Sequence, residues 1–212
     1  MFEHVHISNG VTKLGASIPS VNLPAVKTCR EDAPCFKTCY ARRGRFAFSH
    51  NKELLDRNLR IWYEDPESFE RDVTIAAFHT RYFRWHSSGD IVDMDYLKMM
   101  IRVARALPHT SFLCFTKKYE LINEYLSGEW HQKVVCHESF PPNLKIVLSA
   151  WGDWMPENPY NLPVAYIAFK KGENACIPED AKPCPKFCGD CVMTGCSCWD
   201  LNTGESVVFN EH

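Results

Sequence analysis

No stretch of this chain is apolar for the ~18–20 residues that a membrane span requires, so a membrane-embedded protein is not expected. The start, MFEHVHISNGVTKLG, lacks the basic-then-apolar layout of a secretory leader, and a cytoplasmic address is the expectation. A dominant sign of charge is missing too. With 24 Lys and Arg against 26 Asp and Glu, the net charge of −2 exerts no global pull on nucleic acid, and any such contact must be local. Internal repeats, low-complexity tracts and long linkers are absent, which excludes solenoids and tethered modules. The 212 residues suffice for one large domain, or for one domain with a small appendage.

Cysteine, by contrast, is plentiful. The chain has 11, an odd number that suits a fully paired disulfide framework poorly. In a reducing compartment, clustered cysteines read as metal ligands or catalytic thiols. The first group, Cys29, Cys35 and Cys39, stands as C-x5-C-x3-C in TCREDAPCFKTCYARRGRF. Three soft thiolates bind zinc or an iron–sulfur cluster and leave one coordination position open. The alternative is three buried, metal-free cysteines. The second group is Cys184, Cys188, Cys191, Cys196 and Cys198, with Cys176 upstream. Prolines and glycines keep that segment from burying itself as a helix or strand. A metal is expected to organise it, and its binding energy would then be folding energy. Zinc against iron stays open. Cys114 reads as core packing, and Cys136 has no evident partner.

The opening segment, broken by Gly10, Gly15, Pro19 and Pro24, reads as irregular. A helix is expected from about Cys35, carrying Arg42, Arg43 and Arg45, then a second over 50–63. Asp65-Pro66-Glu67 starts a third, with proline and acid where helix N-termini prefer them. Strands are expected at 82–86, 111–116, 144–149 and 164–169, the last good candidate. Helices fall at 93–106 and 118–127, the former with Met94, Leu97, Ile101 and Ala104 at helical spacing. Alternating strands and helices predict an α/β fold over residues 1–170, either a partial (β/α) barrel or an open parallel sheet. Residues 171–212 would form a cysteine-rich, metal-binding appendage.

Ligands of parallel α/β sheets bind at the carboxyl ends of the strands. Here those ends read His86-Ser87-Ser88-Gly89-Asp90, Thr116-Lys117-Lys118 and Ser149-Ala150-Trp151-Gly152-Asp153. Catalytic candidates are His86, Asp90, Lys117 and Asp153; Ser88, Gly89 and Ser149 are candidates to hold a cofactor. Each has a plainer reading. Asp90 would cap the next helix, His86 would be a hydrogen-bonded core histidine, Lys117 a solvated side chain, and Ser149 and Asp153 turn residues. The coincidence of polar ends on successive strands favours a site.

The runs IPSVNLPAVKTC, APCFKTCYARRGRF, WHSSGD and FTKK resemble the phage and bacterial family called "gene product 88" over roughly residues 13–150. That resemblance implies host cytoplasm as the address if the chain is phage-encoded. The order of parts also resembles compact radical S-adenosylmethionine enzymes. By that likeness Cys29, Cys35 and Cys39 would hold a [4Fe–4S] cluster, and Ser88, Gly89 and Asp90 would occupy the turn that binds the cofactor's amino group. Ser149 would lie near its ribose, and the C-terminal cysteines would match auxiliary-cluster extensions. The pattern departs from that superfamily in its C-x5-C-x3-C spacing, in Tyr40 after the last cysteine, and in Ser-Ser-Gly-Asp where Gly-Gly-Glu is usual. Its usual spacing, C-x3-C-x2-C, occurs instead at Cys184, Cys188 and Cys191. The sequence is also similar in plan to guanine transglycosylases, a resemblance that implies exchange of a base in RNA or DNA, as in 7-deazaguanine modification. On that reading Asp90 or Asp153 is the nucleophile, structural zinc sits at Cys184–Cys198, and Arg42, Arg43 and Arg45 meet phosphates. Trp85 or Trp151 would stack on a base. A third reading is a non-enzymatic, zinc-bound interaction module.

Overall fold

A computed structural model describes residues 3–9, 14–15, 18–128, 139–170, 176–195 and 197–211. Its eight strands are β1 (Ile7–Ser8), β2 (Ser20–Val21), β3 (Tyr82–Trp85), β4 (Ser111–Thr116), β5 (Leu144–Ser149), β6 (Val164–Ala168), β7 (Lys182–Pro183) and β8 (Ser206–Asn210). The helices are α1 (Ser49–Glu64), α2 (Pro66–Phe78), α3 (Met94–Ala106), α4 (Tyr119–Ser127) and α5 (Cys188–Thr194). One sheet contains every strand, in the order β1-β2-β3-β4-β5-β6-β8-β7. Among the described strands only the β1–β2 pair is antiparallel. The expected α/β class and parallel sheet are therefore present, and closure into a barrel is not seen among the described residues.

Helix boundaries follow local chemistry. Asp65 caps α2 by accepting from Ser68 N at 3.0 Å, with Pro66 in the first turn where its missing N–H costs nothing. Asp93 caps α3, accepting from Tyr96 N at 2.8 Å. The helix expected from Cys35 is replaced by three short 3-10 turns, Pro34–Phe36, Tyr40–Arg42 and Gly44–Ala47. Non-helical backbone at Cys39 and extended backbone at Arg43 interrupt any continuous helix there.

Consecutive parallel strands joined by right-handed crossovers place their connecting helices on one face of a sheet. That back face holds Phe83, Trp85, Phe112, Ile146 and Leu148, packed against Trp62, Phe69, Tyr96, Leu97 and Met100 of the helices. Trp62, Phe69 and Tyr96 meet edge to face with centroids 4.8–5.8 Å apart. The front face has its own smaller core, in which Leu113, Val147, Ala165 and Val207 pack against Leu14, Ile18, Trp199 and Leu201. Trp199 Nε1 donates to the Phe83 carbonyl at 3.4 Å, so the C-terminal segment is fastened onto the front of the sheet. The strand series does not end at residue 169: β8 pairs with β6 along five residues and with β7 beyond it. The cysteine-rich segment thus shares the sheet of the α/β part.

Candidate functional site

A cavity of about 290 Å³ opens on the front face. Its walls bring together parts far apart in the chain. Cys29, Cys35 and Cys39 line one side with Tyr40; Cys184, Cys188, Cys191 and Cys198 line another. The strand ends His86–Asp90, Thr116–Lys117 and Ser149–Ala150 complete it, over an apolar floor that includes Leu113, Phe115, Ala165, Ile167 and Phe209.

The turn after β3 is held by the segment that follows β2. Asn22 Oδ1 accepts from Ser87 N at 2.6 Å and Ser88 N at 3.1 Å. Leu23 N donates to the Ser88 carbonyl at 3.0 Å, and Ser88 Oγ donates to the Leu23 carbonyl at 3.0 Å. Gly89 has φ +83°, and a Cβ there would lie 2.8 Å from Leu23 Cβ, Leu23 O and Thr28 Oγ1. Only glycine fits that turn.

Asp90 is buried and its carboxylate is fully engaged. It accepts from Ile91 N at 2.8 Å, Thr116 Oγ1 at 2.6 Å and Lys117 N at 2.9 Å. Burial raises its pKa, opposed by these donors. The carboxylate is a bracket between the ends of β3 and β4, and the helix cap is Asp93 instead. His86, at φ +57°, is buried with Nε2 3.0 Å from Tyr96 Oη and Nδ1 3.8 Å from Cys114 Sγ. Burial, aided by the Arg84 charge, pushes its pKa down to about 3. It is a buried, neutral imidazole in the cavity wall, and Cys114 is a core thiol as expected from its strand position.

The first three thiols behave as a group. Burial pushes Cys29 up to about 11, with the charges of Asp90, Cys39 and Cys35 adding to the rise. Cys35 is also raised by burial, against the pull of Lys117. The loop that carries them is clamped next door. Arg30 pairs with Asp32 at 2.6 Å and with Glu120, and lies 5.8 Å and 5.3 Å from the Tyr119 and Trp154 ring centroids. Tyr119 in turn donates its hydroxyl to the Ser149 carbonyl. On the other side Tyr40 donates its hydroxyl to the Ser87 carbonyl. Its ring stays largely open to solvent.

The C-terminal thiols form a second group. Burial pushes Cys198 up to about 12, and the charges of Cys184, Cys188 and Cys191 add to the rise. Cys184 is anchored by its own N–H to the Val208 carbonyl at 2.8 Å, and Gly195 (φ +70°) ends α5 in the left-handed conformation. Among the described residues no three Cys, His, Asp or Glu side chains are gathered closely enough to hold a metal ion. The donor sets nonetheless fit a thiolate-bound metal in type and number: three on one wall, four on another. Burial is the main cause of the raised Cys29, Cys35 and Cys198 thiols, and neighbouring thiols add to it.

Several expected residues lie elsewhere. Asp153 is not in the cavity wall; its Oδ1 accepts from Cys176 Sγ at 3.9 Å, and Cys176 is exposed. Cys136 and Cys196 fall outside the described residues. Arg42, Arg43 and Arg45 are exposed, beside the wall residues Ala41 and Phe46. Trp85 is fully buried in the back-face core and has no base-stacking surface, a correction forced by the strand's alternation. Trp151 meets Phe169 at 5.6 Å. Asn22, Thr28 and Arg84 were not legible as site residues. Their only signal was position, in the N-terminal motif for the first two and in the inward alternation of an aromatic strand for Arg84.

Among the described residues no helix is long and apolar enough to cross a membrane. A family profile described as "Gene product 88" matches residues 5–197. No curated protein and no solved structure matches the chain.

Proposed function

The chain belongs to the gene product 88 family, and for this member we propose a metal-dependent enzyme whose Cys29, Cys35 and Cys39 hold an iron–sulfur cluster at the carboxyl end of the sheet. One observation carries the reading. Three thiols from one clamped loop line the same cavity as the glycine turn after β3 and the polar ends of β4 and β5. When bound, a cluster with three cysteine ligands supplies an open iron and an electron for reductive cleavage of S-adenosylmethionine.

The chain's own residues would do the rest. Burial raises the Cys29 and Cys35 thiols, so metal loading would release their protons. The Asp90 bracket and the Asn22 clamp fix the turn, and Gly89 lets it pack directly against Leu23 and Thr28. Phe115, Ile167 and Phe209 on the floor keep water from the reacting groups. Cys184, Cys188, Cys191 and Cys198 supply the four ligands of a second, closed position, for zinc or a further cluster. Arg42, Arg43 and Arg45 would meet phosphates of a nucleic-acid-borne substrate. Base exchange has less support, because both carboxylate oxygens of Asp90 are engaged and Asp153 lies off the cavity.

The full chain, reconstituted anaerobically with iron and sulfide, is incubated with S-adenosylmethionine and dithionite. Methionine and 5′-deoxyadenosine are expected from the wild type, and neither from Cys29→Ala, Cys35→Ala or Cys39→Ala. Undiminished product from the triple variant would remove these cysteines from the mechanism.

A further inference from the structure

The cavity floor holds a cation that the chemistry above leaves unused. In β3 the alternation sends Phe83 and Trp85 into the back-face core and turns Arg84 to the front. Its guanidinium carbon lies 4.2 Å from the centroid of Phe115. Nε donates to the Trp85 carbonyl at 3.1 Å and Nη2 to the His86 carbonyl at 3.4 Å, which fixes the plane of the group. Among the described residues Nη1 has no protein acceptor, and no carboxylate pairs with the side chain. The cation lines the same cavity as both thiol groups.

A half-buried guanidinium without a counter-charge bears a desolvation cost that an anion would offset. Its carbonyl bonds occupy Nε and Nη2 of a side chain that lines the cavity, so Nη1 is the nitrogen left for the carboxylate or phosphate oxygens that a guanidinium fork suits. Around it the floor is apolar: Leu113, Phe115, Ala165, Ile167 and Phe209. The cavity's volume is at the small end of ligand pockets, about 300 Å³. We propose that Arg84 is an anion-recognition residue, and that the cavity takes a small organic oxyanion whose carboxylate or phosphate meets Nη1 while its apolar body lies on the floor. As the identity of a substrate this rests on the enzyme reading above; as a binding site it stands without it.

The test is calorimetric binding of benzoate, phenyl phosphate and neutral benzyl alcohol to the full chain, both cluster-free and reconstituted. At least one anion is expected to bind the wild type, with benzyl alcohol about tenfold or more weaker. Arg84→Gln should weaken the anion about ten- to a hundredfold, the range for a hydrogen bond to a charged group. Arg84→Lys, which keeps the charge and loses the fork, should fall between. Benzoate binding alone assigns a carboxylate, phenyl phosphate alone a phosphate, and both a general oxyanion site. Equal binding of benzyl alcohol, undiminished binding to Arg84→Gln, or no anion binding to the wild type overturns the proposal. Should Arg84→Gln not fold, the Arg84 guanidinium nitrogen resonances of the wild type decide, and their indifference to both anions would refute it. Anion binding without S-adenosylmethionine cleavage defeats only the enzyme reading, and cleavage without Arg84-dependent binding defeats only this one.

Discussion

Burial holds the His86 imidazole at a pKa of about 3, against an ordinary 6.5, while its ring nitrogens face Tyr96 Oη and Cys114 Sγ. The unfolded chain therefore takes up a proton below 6.5 that the folded chain refuses until about pH 3. Stability from this group is present above 6.5 and is lost as pH falls through that window, at up to about 1.4 kcal/mol per pH unit. Urea titrations at pH 7, 6 and 5 should show a shallower loss in His86→Gln than in the wild type; parallel curves would contradict the buried neutral imidazole. The turn after β3 makes a second prediction. Gly89→Ala must hold φ +83° and place its Cβ 2.8 Å from Leu23 and Thr28, so a loss of about 2–5 kcal/mol in denaturant unfolding is expected. Asp90→Asn exchanges one acceptor oxygen for a donor beside a backbone N–H, and an expected cost of about 1–3 kcal/mol would mark it as a bracket. At this scale the sequence singled out the turn after β3 and left the roles of its residues open. Whether Asp90 or Asp93 caps α3, and whether the Asp90 oxygens are free, depends on contacts from residues 22–28 and 116–117 that no local pattern announces.

Among the elements, β3–β6 and α1–α4 were legible from period or punctuation, such as Asp65-Pro66 before α2 and the helical spacing of Met94, Leu97, Ile101 and Ala104 in α3. The missed strands have none. β1, β2 and β7 are two residues long and exist only through their partners, and β8 follows a cysteine-rich stretch that reads as metal-organised. The front-face core explains why that stretch joins the sheet. Trp199 packs among Leu113, Val147 and Ala165 and meets Tyr82 at 5.6 Å, so the segment is bound by apolar burial as well as by any metal. Trp199→Ala should therefore cost about 3–5 kcal/mol even without metal, read by urea unfolding of the metal-free chain. A metal-free chain indifferent to this change would mean that metal alone orders the segment.

For the molecule as a whole, the strand order accounts for the site. Sequential parallel strands send α1–α4 to the back, and the front is left for residues from both ends of the chain. Two cysteine groups at opposite ends of the sequence thereby come to line one cavity. Each group was visible in the sequence, whereas their meeting was not, because it depends on β8 slotting between β6 and β7. The central claim is that the N-terminal thiols hold iron. Its most direct test is iron, sulfide and zinc analysis with electron paramagnetic resonance on the anaerobically reconstituted full chain, beside its Cys29→Ala/Cys35→Ala/Cys39→Ala variant. The account predicts a coloured wild type and a loss of about four irons in the variant. Equal metal content in the two proteins, or a colourless wild type carrying zinc without iron or sulfide, would contradict it.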